Sequence, residues 1–179
     1  MTVMVTGHRQ IVPAGWQGSP WPENNPPISG HHKQLHNVMT KFCYQMLDLG
    51  HDTFISGMAI GADQLFAEAV MALKYSHPVR LVAAIPFAGQ ESKWPQASKD
   101  RFNNILSYAD HIQIISEGTY SPQKMQVRNI WMVDNSDAVL AVWDGKESGG
   151  TWNCLTYAKQ QGKMILRLNP ATLEISPVI

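Results

Sequence analysis

Short apolar runs alternate with helix-period stripes from the first residues of the chain onward. Thr2–Thr6 (TVMVT) is a β-branched run stopped by Gly7, the pattern of a buried strand. Over residues 30–49, Leu35, Val38, Met39, Phe42, Met46 and Leu49 recur at spacings of three and four, which predicts one apolar helix face ended by Gly50. Thr53–Ser56 predicts a second strand and Gly61–Tyr75 a second helix. Val79–Ile85 is continuously apolar between Pro78 and Pro86, as expected of a strand covered on both faces. A helix at about Pro95–Tyr108 and a strand at His111–Ile115 follow. Ser121-Pro122 opens the next helix, with a cap residue followed by proline at the first helical position, and that helix runs to about Asn135. Ala138–Trp143 predicts a strand, Trp152–Gln161 a helix and Met164–Leu168 a last strand. Such alternation specifies an α/β three-layer sandwich, its mostly parallel sheet flanked by helices.

One stretch breaks the rhythm. Residues 11–29 hold Pro13, Pro20, Pro22, Pro26 and Pro27 together with Trp16 and Trp21. It is read either as a surface insertion or as a lid over the sheet edge. A length of 179 residues suits a single domain spanning 1–179. Lys+Arg and Asp+Glu are equal at 14 each, so the formal charge is zero, and a broad electrostatic grip on nucleic acid is not expected. Cys43 and Cys154 form no CxxC motif, and no apolar stretch is long enough for a membrane span. A cytoplasmic protein with no membrane partner is the expectation.

In an open α/β sheet, ligands bind beyond the carboxyl ends of the strands, so the residues following each strand are the first candidates. Gly7, His8 and Arg9 follow the first strand. Ser56, Gly57, Met58, Ala59, Gly61, Ala62 and Asp63 follow the second. Pro86, Phe87, Gln90 and Glu91 follow the third, with Trp94 just beyond. Asp144 and then Gly149, Gly150 and Thr151 follow the strand at 138–143. Two small-residue turns therefore each lead into a helix, where free N–H groups and the helix dipole suit a phosphate. Arg9 could add a guanidinium fork. The spacing Gly57-x-x-x-Gly61 matches neither GxGxxG nor GxxxxGK[ST], and there is no GxSxG.

The set Thr6-Gly7-His8-Arg9, SGMAIGAD at 56–63, IPFAGQESKW at 85–94, QVRNIWMVDNSDAVLAVWDG at 126–145 and SGGT at 148–151 resembles YpsA-like proteins. These belong to the SLOG superfamily of Rossmann-like domains, with the DNA-processing protein DprA and the LOG phosphoribohydrolases, so the resemblance implies a Rossmann-like three-layer sandwich of the SLOG type. The resemblance covers nearly the whole chain outside the proline-rich loop. It implies a nucleotide or nucleotide-derived ligand, with residues 56–63 and 149–151 as the phosphate and ribose turns and Arg9, Arg128 and Asn129 as polar contacts. It also implies an alternative, nucleotide N-glycosidase activity, for which Asp63, Glu68 or Glu91 would have to supply the carboxylate. Aligned on the LOG motif PGGxGTxxE, Gly150-Thr151 puts Cys154 at the glutamate position. A thiol cannot take over that carboxylate's role, which favours binding or sensing. A DprA-like single-stranded DNA binder is the third reading, and the balanced charge makes a nucleic-acid partner unlikely on this account.

Several of these residues have a plainer alternative. Asp63 could cap the helix dipole rather than accept from a ribose, Glu68 could lie on a solvated helix face, and Arg128 could pair with a neighbouring carboxylate. Trp94 could be packing rather than a stacking surface. His31, His32 and His36 share a helix start but lack a third ligand at metal spacing, so no metal site is expected. His8, beside Arg9, is either a turn-stabilising group or a ligand donor or acid–base group. No cofactor is required by this reading beyond a nucleotide-type ligand of unknown identity, and self-association into a homo-oligomer is expected.

Overall fold

A computed structural model describes residues 1–9, 11 and 30–178. The proline-rich segment at 11–29, with Trp16 and Trp21, lies outside the described residues apart from Ile11, which is fully buried.

Among the described residues the chain runs β1 (Thr2–Gly7), α1 (Gly30–Asp48), β2 (Thr53–Ser56), α2 (Ala62–Lys74), β3 (Arg80–Phe87), α3 (Gln96–Ser107), β4 (His111–Ser116), α4 (Pro122–Asp134), β5 (Ala138–Val142), α5 (Gly149–Gln160), β6 (Met164–Leu168) and β7 (Ile175–Pro177). The strands form one sheet in the order β4-β3-β2-β1-β5-β6-β7. Every pairing is parallel except β6 with β7. The expected α/β sandwich is therefore present, and β6 is not the last strand. A short antiparallel strand closes that edge, with Arg167 opposite Ser176.

The two faces of the sheet carry separate cores. Helices α1, α2 and α3 cover one, where Leu35, Met39, Phe66, Val70, Phe102 and Ile105 pack on Val3, Val5, Phe54 and Leu81. Helices α4 and α5 cover the other, with Met132, Val133, Leu155 and Ala158 against Met4, Ile55, Val139 and Ala141. Alternation along β1 follows from this, since Val3 and Val5 enter one core and Met4 the other. Full cover on both faces explains why β5 (AVLAV) is buried at every position. Helix α2 is the central helix of its layer. It packs against α1, α3 and three strands, so Ala62–Ala67, Ala69, Val70 and Leu73 are all buried and only a narrow strip reaches solvent.

The layout fixes where a ligand can sit. Connections from β1 through β4 build outward in one direction, and the chain then crosses back so that β5 pairs with the other side of β1. Strand order reverses between β1 and β5, and the loops above them diverge to leave a crevice at the carboxyl edge.

Candidate functional site

A cleft of about 690 Å³ opens over that crevice. Its walls come from the end of β1 (Val5–Arg9), from Ala59 and Asp63 at the start of α2, from Tyr120 to Asn129 around the first turns of α4, and from Gly149, Gly150, Thr151 and Asn153 of α5. The volume is that of a small-molecule site and far exceeds what a lone phosphate needs.

The deepest part of the wall is an ion pair. Arg128 and Asp63 are 5% and 6% exposed, and Arg128 Nη1 lies 3.9 Å from Asp63 Oδ2. Nη1 also donates to the Gly57 carbonyl, and Nε donates to Asn129 Oδ1 at 3.0 Å. Asp63 accepts from the Ala59 amide at 3.3 Å. Burial pushes the Asp63 carboxyl upward in pKa, against the pull of the Arg128 guanidinium, and burial pushes Arg128 downward. The pair is thus held at the cleft floor by mutual charge and by a backbone carbonyl, each group opposing the desolvation of the other.

The α2 turn is knitted to this pair. Ser56 Oγ donates to the Asp63 carbonyl at 2.7 Å and accepts from the Met58 amide at 3.1 Å. A Cβ on Gly57 would lie 2.6 Å from Arg128 Cζ and 2.7 Å from Asp63 Oδ2, so only glycine fits over the guanidinium. Gly61 has φ of +98° and packs on the Arg9 backbone, and the first amide of α2, Ala62 N–H, donates to the His8 carbonyl at 3.2 Å. Ser56, Gly57, Met58, Gly61 and Ala62 accordingly stand behind the cleft wall, and Ala59 and Asp63 line it.

The α5 turn is built differently. Ser148 makes no side-chain cap, and no acidic residue occupies the first turn. Among the described residues, and apart from the turn's own chain neighbours and helix backbone, no atom lies within 4 Å of a Cβ built on Gly149 or Gly150. The first amides of α5 face the cleft with the positive end of the helix dipole behind them.

His8 and Asp144 join the ends of β1 and β5. His8 Nε2 lies 3.0 Å from Asp144 Oδ1 and 3.4 Å from the Asp144 amide nitrogen. The shorter, charge-assisted contact has Nε2–H donating to the carboxylate. Asp144 Oδ1 also accepts from the Lys146 amide at 2.9 Å. That amide and His8 together hold the Asp144 carboxyl below its ordinary pKa.

Other residues singled out in the sequence stand away from the cleft. Glu68 is clamped by Arg101, whose Nε and Nη2 each lie 2.6 Å from its oxygens, between α2 and α3. Glu91 lies in the turn after β3, outside the lining. Trp94 stands edge-on to Phe102 at 5.6 Å, against the α1–α3 core. Pro86, Phe87 and Gln90 are buried at the end of β3, and Phe87 braces Tyr120. Cys154 lies buried behind the wall, and burial raises its thiol to about 11, so it is a neutral thiol at pH 7. Of the three carboxylates considered for catalysis, only Asp63 reaches the cleft. Conversely, Tyr120, Gln123, Met125, Gln126 and Asn153 line the cleft without having been singled out. The available signal was the loop 117–121, which follows β4 at the same sheet edge and ends in the Ser121-Pro122 helix opening.

The family model described as YspA SLOG family matches residues 17–170. An uncharacterized SPbeta prophage-derived protein, YoqJ, of Bacillus subtilis (strain 168) is 40% identical over 131 residues, which is 65% of this chain and 76% of the relative. A UPF0398 protein of Bacillus cereus (strain G9842) is 30% identical over 143 residues, covering 79% of this chain and 76% of its own. Among solved structures, DNA processing protein A (DprA) from Streptococcus pneumoniae superposes with a TM-score of 0.62 at 18% identity, covering 97% of this chain and 52% of that one. DprA from Helicobacter pylori, in a structure reporting its single-stranded DNA binding mode, gives a TM-score of 0.60 at 16% identity over 94% of this chain and 65% of that one. The chain thus spans only about half to two thirds of the DprA chains it resembles, and the likeness is one of fold.

These neighbours correct one expectation. A nucleic-acid partner was held unlikely on the net charge of zero, yet a protein of this fold has a reported single-stranded DNA binding mode. The physical reason is that net charge sums the whole surface, whereas binding reads a local potential. Among the described residues lining the cleft, Arg9 and Arg128 are the cations and Asp63 is the one carboxylate, an excess of one positive charge. Among the described residues, no helix is long and apolar enough to cross a membrane.

Proposed function

The chain belongs to the YspA SLOG family, and from that premise we propose that it binds a nucleotide or nucleotide-derived small molecule in the β1–β5 cleft, as a sensor or sequestering module. One observation carries the reading. The uncapped start of α5 and the exposed Arg9 face the same cleft, one whose volume suits a ligand larger than a phosphate. The α5 amides would hold a phosphate, Arg9 would pair with it in a charge-assisted contact, and Asn129 and Thr151 would take sugar hydroxyls. Asp63 and Arg128 would keep the floor of the site in shape.

A second reading is favoured by the fold neighbour with the single-stranded DNA binding mode. The same phosphate chemistry would then hold one nucleotide of a longer strand, with further contacts along the surface.

Mass spectrometry of small molecules released from the purified protein, followed by titration with nucleoside 5′-monophosphates and with a labelled oligothymidylate, separates the two. The first reading expects a nucleotide that binds one to one and is recovered unchanged. It also expects Arg9→Ala to weaken that binding about tenfold or more, as for loss of a hydrogen bond to a charged group. Tight oligothymidylate binding that falls steeply between about 50 and 200 mM salt supports the second reading. Nucleotide affinity unmoved by Arg9→Ala would remove the cleft from the first.

A further inference from the structure

We infer that Tyr120 is the base-stacking platform of the cleft, with the carboxamides of Gln123 and Gln126 placed to read the edge of the stacked base. The inference rests on the nucleotide reading above and assigns the end of the site that the phosphate turn leaves empty.

Tyr120 is 61% exposed although it lines the cleft, so its ring is available to a ligand. It is also held. Its ring meets the buried Phe87 ring at 6.0 Å and 73°, an edge-to-face contact that uses one side of the aromatic pair and leaves a face open. The loop carrying it is pinned by Lys124, whose Nζ donates to the carbonyls of Glu117 and Thr119 and sits 6.0 Å from the centroid of Phe87. A stacking surface fixed before the ligand arrives loses less entropy on binding.

Spacing matches a nucleotide laid along the sheet edge. Phe87 ends β3, Arg9 follows β1 and the α5 turn follows β5, in the sheet order β3-β2-β1-β5. Adjacent strands are about 4.8 Å apart, so the end of β3 lies roughly 10 Å from that of β1 and roughly 14 Å from that of β5, and Tyr120 stands over the β3 end through its contact with Phe87. That separation suits a base at one end and a phosphate at the other. Gln123 and Gln126 lie three apart on α4, on the side that faces the cleft, and neither carboxamide bonds to a described residue. A carboxamide offers both a donor and an acceptor, the complement of a nucleobase edge.

The test compares adenosine 5′-monophosphate and uridine 5′-monophosphate with ribose 5-phosphate, a probe lacking the base, by isothermal titration calorimetry. Tyr120→Ala is expected to weaken both nucleotides about tenfold, the scale of one base–aromatic stack, and to leave ribose 5-phosphate unchanged. Tyr120→Phe retains the nucleotide affinity, because the ring and not the hydroxyl does the stacking. Equal loss for all three probes in Tyr120→Ala would mean the ring merely shapes the loop, and no loss at all would mean it contacts nothing; either overturns the inference while the nucleotide reading stands. Wild-type protein that binds none of the probes would defeat the nucleotide reading and the base platform with it.

Discussion

The two glycine-containing turns look alike in the sequence and differ completely in what their glycines do. At residues 56–63, glycine is demanded by the protein itself. Gly57 makes room for the Arg128 guanidinium, Gly61 lies on the Arg9 backbone, and Ser56 and the Ala62 amide are already bonded inside the fold. At residues 148–151 no described residue outside the turn presses on Gly149 or Gly150, Ser148 makes no side-chain cap, and no described loop group accepts from the first helix amides. One turn is scaffold and the other is open surface. A small-residue turn before a helix is therefore two different observations, and only the room around a Cβ separates them.

The comparison breaks most readily at Arg128. Arg128→Met would leave Asp63 as an uncompensated buried carboxylate and is expected to cost about 3–5 kcal/mol, read as a shift in the denaturant midpoint. The sign of its pH dependence follows from Asp63, whose carboxyl is already raised by burial. A folded-state pKa above the unfolded one means the native state binds more protons, so stability should rise as pH falls from 7 through the folded pKa of Asp63. Losing the guanidinium removes the opposing pull and strengthens that trend. Arg128→Met with Asp63→Asn should recover most of the loss at pH 7. A single variant as stable as wild type would mean the pair is not what holds the scaffold turn.

The next two substitutions set the turns against each other directly. Gly57→Ala puts a methyl 2.6 Å from Arg128 Cζ and is expected to destabilise by about 1–3 kcal/mol through overpacking. Gly150→Ala falls within α5 with open space around it and should leave stability unchanged or raise it by up to about 1 kcal/mol, since alanine outranks glycine in a helix. Its effect should appear instead in ligand affinity, because the methyl would stand where a phosphate approaches the amides. Stability losses of equal size at both positions would erase the distinction between scaffold and surface.

Most of the architecture was readable without coordinates because strand and helix periods differ and the central strands β1, β2, β3 and β5 are covered on both faces. The stripe of α1, the capped start of α4 and the all-apolar β5 all announce their elements. β7 was not readable, since three residues that include Pro177 at a sheet edge carry no alternation. At the site, residues following β1, β2 and β5 pointed to the sheet edge over which the cleft opens. The sequence could not tell which side chains would turn back into the fold. Glu68, read as a solvated residue or a candidate acid, is held by Arg101, and Trp94, read as either a stacking group or packing, packs against Phe102. Tyr120 went unnoticed because it follows β4, an edge strand three places from the switch point. Only the return of α4 across the sheet brings its first turn to the cleft.

The smallest effect concerns the tie between the strands that flank the crevice. Asp144 is half exposed and bonded both to His8 and to the Lys146 amide. Its carboxyl is lowered in the folded state, chiefly by that amide and then by His8. A depressed carboxylate contributes stability above its unfolded pKa, and that contribution fades as pH falls through the folded value. Asp144→Asn should therefore cost less than about 1 kcal/mol at pH 7, as an exposed pair does, and the gap from wild type should close below the ordinary carboxylate range. Urea titrations of both proteins between pH 7 and pH 3 measure this. A gap that persists at low pH would trace to the shape of the β5 turn rather than to charge. It would place the end of β5 with the scaffold turn instead of with the open one.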